Sequence, residues 1–178
     1  LKRAGVNWLG LGIENPNTKL RATIHKDGFE EVSIRGLIDE IRSAGISVGG
    51  NYIFGLPFET EDSMQETLNF AIENPTEMAN FYCAMAYPGS PLYGEATSQG
   101  LPLPKSYSGY SQHSYDTQNL PTEFLSGAEI LRFRDRAWDS YHENEKYQQL
   151  VLRTFGENSL NELNITRKIK LKRKAFGD

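Results

Sequence analysis

VGGNYIFGLPFET, Val48 to Thr60, carries the pattern around which the rest of the chain is arranged. Two glycines lead into Tyr52, Ile53 and Phe54, and the apolar run breaks at Gly55-Leu56-Pro57 before an acidic segment. This is the pattern of a buried strand that delivers a tight loop to a helix. Parallel sheets present their ligands at the carboxyl ends of strands, because helices cover the two faces and leave that rim open. Gly55 permits close approach to the backbone there, and Pro57 stiffens the loop.

The flanking sequence repeats the alternation. Upstream, Ala4-Gly5 closes a helix, and VNWLGLGIE reads as a strand apolar on both faces that ends in a carboxylate, Glu14. A turn follows at 15–18. Val32, Ile34, Leu37, Ile38 and Ile41 then recur at helical spacing up to a glycine cap at Gly45. Downstream, a helix is expected over about 62–73, with acidic residues in its first turn, then a strand over about 79–86. A Pro88-Gly89 turn leads to a short helix with Ser90 as N-cap and Pro91 at its first position. Strand, helix, strand, helix, strand, helix implies right-handed crossovers and a three-stranded parallel α/β sheet. Such a sheet leaves a bare edge at the first strand, and the opening residues predict a chain that begins in mid-fold, with further strands upstream.

Residues 101–125 form an irregular loop whose Tyr107, Tyr110 and Tyr115 suggest a packed lid. Ser126 to Glu129 is a capping box that opens a helix to about Asn144, and two more helices are expected around Gly156. The expected divisions are thus 1–100, 101–125 and a helical extension over 126–178.

Composition narrows the function. Net charge is −4, but residues 161–178 hold six basic and two acidic residues, leaving 13 basic against 21 acidic in the body. An acidic body argues against a nucleic-acid groove. No apolar run of about 18 residues occurs, so no membrane span is expected and a cytoplasmic protein is the default. One cysteine, Cys83, excludes an internal disulfide framework and reads as a small buried hydrophobe. His25, His113 and His142 lack ligand spacing. The basic tail RKIKLKRK reads as a frayed, solvated end.

Three motifs, GLGIEN (10–15), NYIFGLP (51–57) and YPGSPLY (87–93), with YSQHSY (110–115), the run 120–138 and LKRKAFG (171–177), resemble radical S-adenosylmethionine enzymes, in particular their cobalamin-binding branch. The resemblance implies that the chain is the C-terminal half of a partial (β/α)6 TIM-like barrel followed by a helical extension. It implies reductive cleavage of S-adenosylmethionine at a [4Fe-4S] cluster whose ligands lie outside this chain. Cobalamin, likewise bound outside it, and a small-molecule substrate complete the expectation, and the rest of the same polypeptide is the implied partner.

Carried over residue by residue, Glu14 would hold the ribose hydroxyls, or else be a solvated loop carboxylate. Ile53 and Gly55 would face the adenine, or else be strand core and turn. Ala84, Met85 and Ala86 would offer backbone groups to the adenine edge and Tyr87 would line the floor, or else Met85 and Tyr87 would be plain strand core. Lys26, with Arg21, would reach the methionine carboxylate, or else both would be solvated cations without a role. The sequence departs from the family pattern at Asn51, where a glycine is usual, and at Glu59, one place late. Two alternatives stand beside this reading: a non-catalytic half-barrel module for binding or dimerisation, and a phosphate-binding barrel using Gly55 and Gly89.

Overall fold

The computed structural model describes residues 1–24 and 33–177. Its sheet has three parallel strands in the order β1 (Trp8–Glu14), β2 (Ser47–Phe54), β3 (Met78–Cys83). The helices are α1 (Thr18–Ala22), α2 (Ile34–Ser43), α3 (Glu61–Glu73), α4 (Pro91–Ser98), α5 (Gly127–Glu143), α6 (Glu145–Phe155) and α7 (Glu157–Thr166). The expected alternation is present, with the capping box at Ser126, the N-cap at Ser90 and Gly156 between the last two helices. The mixed α/β class with a parallel sheet therefore stands. The third strand is shorter than expected: after Cys83 the Ala84 amide still donates to Phe54 O, but its carbonyl accepts from Leu120 N, and Met85 O closes a turn to Tyr87 N.

Among the described residues, helices pack on one face of the sheet. Ile13, Val48, Tyr52, Phe54, Ala79, Phe81 and Cys83 point into a core shared with Ile38 and Ile41 of α2, Met64 and Leu68 of α3, and Ile130, Phe133 and Tyr141 of α5. Phe81 is its centre, stacked against Tyr52 and Phe54 and edge-on to Tyr141. Alternate residues face the other way: Gly10, Gly49 and Met78 in one row, Gly12, Asn51 and Asn80 in the next, then Ile53 and Tyr82. Trp8, Gly10, Gly12, Met78 and Tyr82 are exposed there. The first strand is thus half-buried, its small residues removing the apolar side that an all-buried strand requires.

The basic tail is docked rather than frayed. Arg173 is fully buried, and its guanidinium donates to both carboxylate oxygens of Asp135, at 2.9 and 2.8 Å, and to the carbonyls of Gln112 and Ser114. The Lys174 amide bonds Tyr115 O, so the tail fastens the long loop to α5. That loop is held by its backbone and by buried Gly109, Thr117, Asn119 and Leu120; Tyr107 and Tyr115 are exposed, so the packed lid of tyrosines is not formed. At Gly109 a Cβ would lie 2.7 Å from Pro104 Cβ. Among the described residues no helix is long and apolar enough to cross a membrane.

Candidate functional site

The carboxyl ends of the three strands meet the loop after residue 116 at one rim. β1 arrives there irregularly: the register with β2 shifts between Gly12 and Glu14, and Glu14 has φ 58. Phe58, in the loop after β2, has φ 67. Among the described residues these are the two non-glycine positions with positive φ, a conformation that costs L-residues on the order of 1–2 kcal/mol each. Strain of this kind persists where surrounding structure enforces it, and it concentrates at functional sites.

Beside Phe58 lies a cavity of about 650 Å³. Its walls are Gly55, Pro57 and Phe58 after β2, Ala84 after β3, Leu92, Glu95 and Ala96 of α4, Leu101, and the segment Leu120 to Glu123. The volume falls within the range of about 300–1,000 Å³ typical of small-molecule sites. One side is apolar, and Glu95, Gln99, Thr122 and Glu123 supply polar groups. Gly55 has φ 77, and a Cβ on it would stand 2.8 Å from Ile130 Cγ2. Its missing side chain thus makes room for α5, while the residue also lines the cavity.

Under the rim runs a buried polar chain. Glu59 is wholly inaccessible; Oε1 accepts from Asn15 Nδ2 and Oε2 from the Leu56 amide, both at 2.8 Å. Burial pushes its carboxyl up to about 7 against the lowering pull of the Leu56 and Gly55 amides and Asn15. Asn15 O in turn accepts from Arg21 Nη1 at 3.0 Å, and Thr122 Oγ1 donates to Glu59 O at 3.1 Å. Arg21 is buried, and its Nε has no hydrogen-bond partner among the described residues.

Of the residues expected at the site, Gly55 and Ala84 line the cavity. Glu14 is buried at the same rim. Ile53 lies half-buried on the uncovered sheet face. Ala86 packs with Ala96 and Leu120 behind the cavity, Met85 is buried, and Tyr87 is exposed and stacks on Tyr110 at 5.8 Å. The Ala84 amide and carbonyl and the Met85 carbonyl are already hydrogen-bonded within the chain. Lys26 and His25 lie outside the described residues. Among the described residues no three His, Cys, Asp or Glu converge as a metal site. Burial raises the Cys83 thiol to about 12, which keeps it from acting as a thiolate. The α4 wall and the Glu59 network were missed. Glu59 itself was visible as an acid directly after a Gly-Leu-Pro turn, but only the fold shows that Asn15 meets it.

Such a rim defines an α/β protein with a cavity at its strand ends. No family model matches the chain. It is similar to two proteins of Chlorobaculum tepidum, bacteriochlorophyllide d C-8(2)-methyltransferase and C-12(1)-methyltransferase. The first is 24% identical over 85% of this chain and 32% of its own length, the second 25% identical over 52% and 20%. An uncharacterized methyltransferase of Pyrococcus horikoshii is 28% identical over 62% of this chain and 24% of its own. The chain thus spans about a third or less of the length of these relatives.

All three relatives are named as methyltransferases, and this overturns the assignment expected from the motifs. These relatives do not support the radical S-adenosylmethionine family or reductive cleavage at a [4Fe-4S] cluster, and the iron–sulfur and cobalamin expectations fall with them; of the expected barrel the structure shows an α/β fold with a three-stranded parallel sheet. The relatives are enzymes, so the non-catalytic half-barrel module gains nothing from them either. The motifs misled because each is short and describes a strand end with its loop, which chemically different α/β enzymes share.

Proposed function

We propose that this chain belongs to a methyltransferase that takes its methyl group from S-adenosylmethionine, and that the cavity at the strand ends receives the donor. The observation that carries the reading is the similarity to a methyltransferase across 85% of the chain, supported by a cavity of suitable size with the strained Phe58 at its mouth. The donor supplies an activated methyl group on a positively charged sulfur.

The residues present fit such a group. The apolar side formed by Pro57, Phe58, Ala84 and Leu92 suits a purine, and Glu95 and Glu123 suit the positive charges of the sulfonium and amine. Glu14 at the rim is the acceptor proposed for ribose hydroxyls, and Arg21 the cation proposed for the carboxylate side. In a protein of the relatives' length, the outer edge of β1 is where a further parallel strand would pair.

The test is methyl transfer by the full-length protein from methyl-labelled S-adenosylmethionine to a small organic acceptor. A chlorophyllide comes first, since two relatives carry bacteriochlorophyllide d in their names. Transfer of label to an acceptor is expected. Failure of the full-length protein to bind the donor would contradict the reading.

A further inference from the structure

We propose that Glu59 is the positioning residue of the donor cavity: its carboxylate locks the loop after β2 to the loop after β1 and so sets the spacing across the rim. This inference rests on the donor-site reading above. A carboxylate without solvent access is costly to bury unless donors surround it, so its presence at this place requires an explanation. The donors come from two loops. Leu56 N–H at 2.8 Å, together with the Gly55 amide, belongs to the turn that lines the cavity, and Asn15 Nδ2 at 2.8 Å belongs to the end of β1. The third wall is joined through the same residue, since Glu59 O accepts from Thr122 Oγ1.

Asn15 has little freedom to do otherwise. Its Oδ1 accepts from Asn17 N at 2.8 Å and its carbonyl from Arg21 Nη1, so Nδ2 is committed to face Glu59. Glu59 therefore sits where β1, β2 and the loop before α5 are tied together, directly behind Gly55, Pro57 and Phe58. Phe58, next in the chain, is held at φ 67 with its ring exposed at the mouth of the cavity. Releasing the carboxylate would let the turn relax toward an ordinary conformation and move those cavity atoms.

The experiment uses the full-length protein, S-adenosylmethionine as the probe, and titration calorimetry. Glu59→Gln sets an amide NH2 against either Asn15 Nδ2 or Leu56 N–H, donor against donor. Asn15→Asp combined with Glu59→Gln restores a donor–acceptor pair with the same net charge. A positioning role predicts affinity weakened about tenfold or more in Glu59→Gln at unchanged stoichiometry, and return to within about threefold of the parent in the exchanged pair. A merely structural role lowers the fraction of competent protein, so reduced stoichiometry at unchanged affinity would overturn the proposal. Affinity within twofold of the parent in Glu59→Gln, or an exchanged pair that binds no better than the single variant, would overturn it as well. Absence of binding by the unaltered protein would instead remove the donor reading, and this inference with it.

Discussion

Replacing Arg173 with Met keeps most of the side-chain stem and removes the guanidinium. Its partners include Asp135, through two hydrogen bonds at 2.9 and 2.8 Å, Gln112 O at 2.7 Å and Ser114 O at 3.1 Å. Breaking one side of a buried pair typically costs about 3–5 kcal/mol, because the partner is left charged and uncompensated. Asp135 is a quarter exposed and keeps a 2.9 Å bond from Arg134 Nη1, which places the expected loss at the low end, about 3 kcal/mol. For a chain of this size that corresponds to a fall in Tm of roughly 6–12 °C. Urea unfolding measures the loss, and hydrogen exchange locates it: amides in 106–118 should lose protection while those of β2 keep theirs. A loss under about 1 kcal/mol, with exchange in 106–118 unchanged, would refute the view that the tail holds the loop.

Two buried titrations should oppose each other in the pH dependence of stability. The Glu59 carboxyl, raised to about 7, gives stability that is full below about 4.5 and lost as pH rises toward 7. His142, lowered to about 4 by burial, gives stability that is full above about 6.5 and lost as pH falls toward 4. In Glu59→Gln the first slope vanishes, so denaturant midpoints should fall more steeply from pH 6.5 to 4.5 than in the parent. Gly55→Ala drives a Cβ to 2.8 Å from Ile130 at φ 77, and should cost about 2–4 kcal/mol by urea unfolding, part of it recovered by Ile130→Val. Tyr141→Phe strands the amide and carbonyl of Thr76, each 3.0 Å from the hydroxyl, and should cost about 1–3 kcal/mol by the same measurement.

Local chemistry made most of the fold legible. Apolar runs ending in glycine, the Ser126 capping box and the Ser90-Pro91 start each announce an element through contacts a few residues apart, and the structure agrees within a residue or two at most of them. What escaped depends on distance along the chain. That Asp135 lies 38 residues from Arg173, or Asn15 lies 44 from Glu59, leaves no periodic trace, so a buried cation looked like a solvated tail and a buried acid like a misplaced motif residue. The uncovered sheet face escaped for a different reason. Gly10, Gly12 and Gly49 read as apolar in a pattern, although a strand lined by glycine presents no side chains to bury. Of the site, the strand ends carrying Glu14, Gly55 and Ala84 were legible, whereas the α4 wall required the tertiary structure.

Hydrogen exchange of the full-length protein, with and without S-adenosylmethionine, shows where the donor binds. If the cavity at the strand ends receives the donor, added donor should slow exchange of amides in 54–60, 84–96 and 120–124, where the rim and its walls lie. Protection at those segments, with α6 and α7 unaffected, is the predicted result. Donor binding with protection confined to other parts of the protein would contradict it.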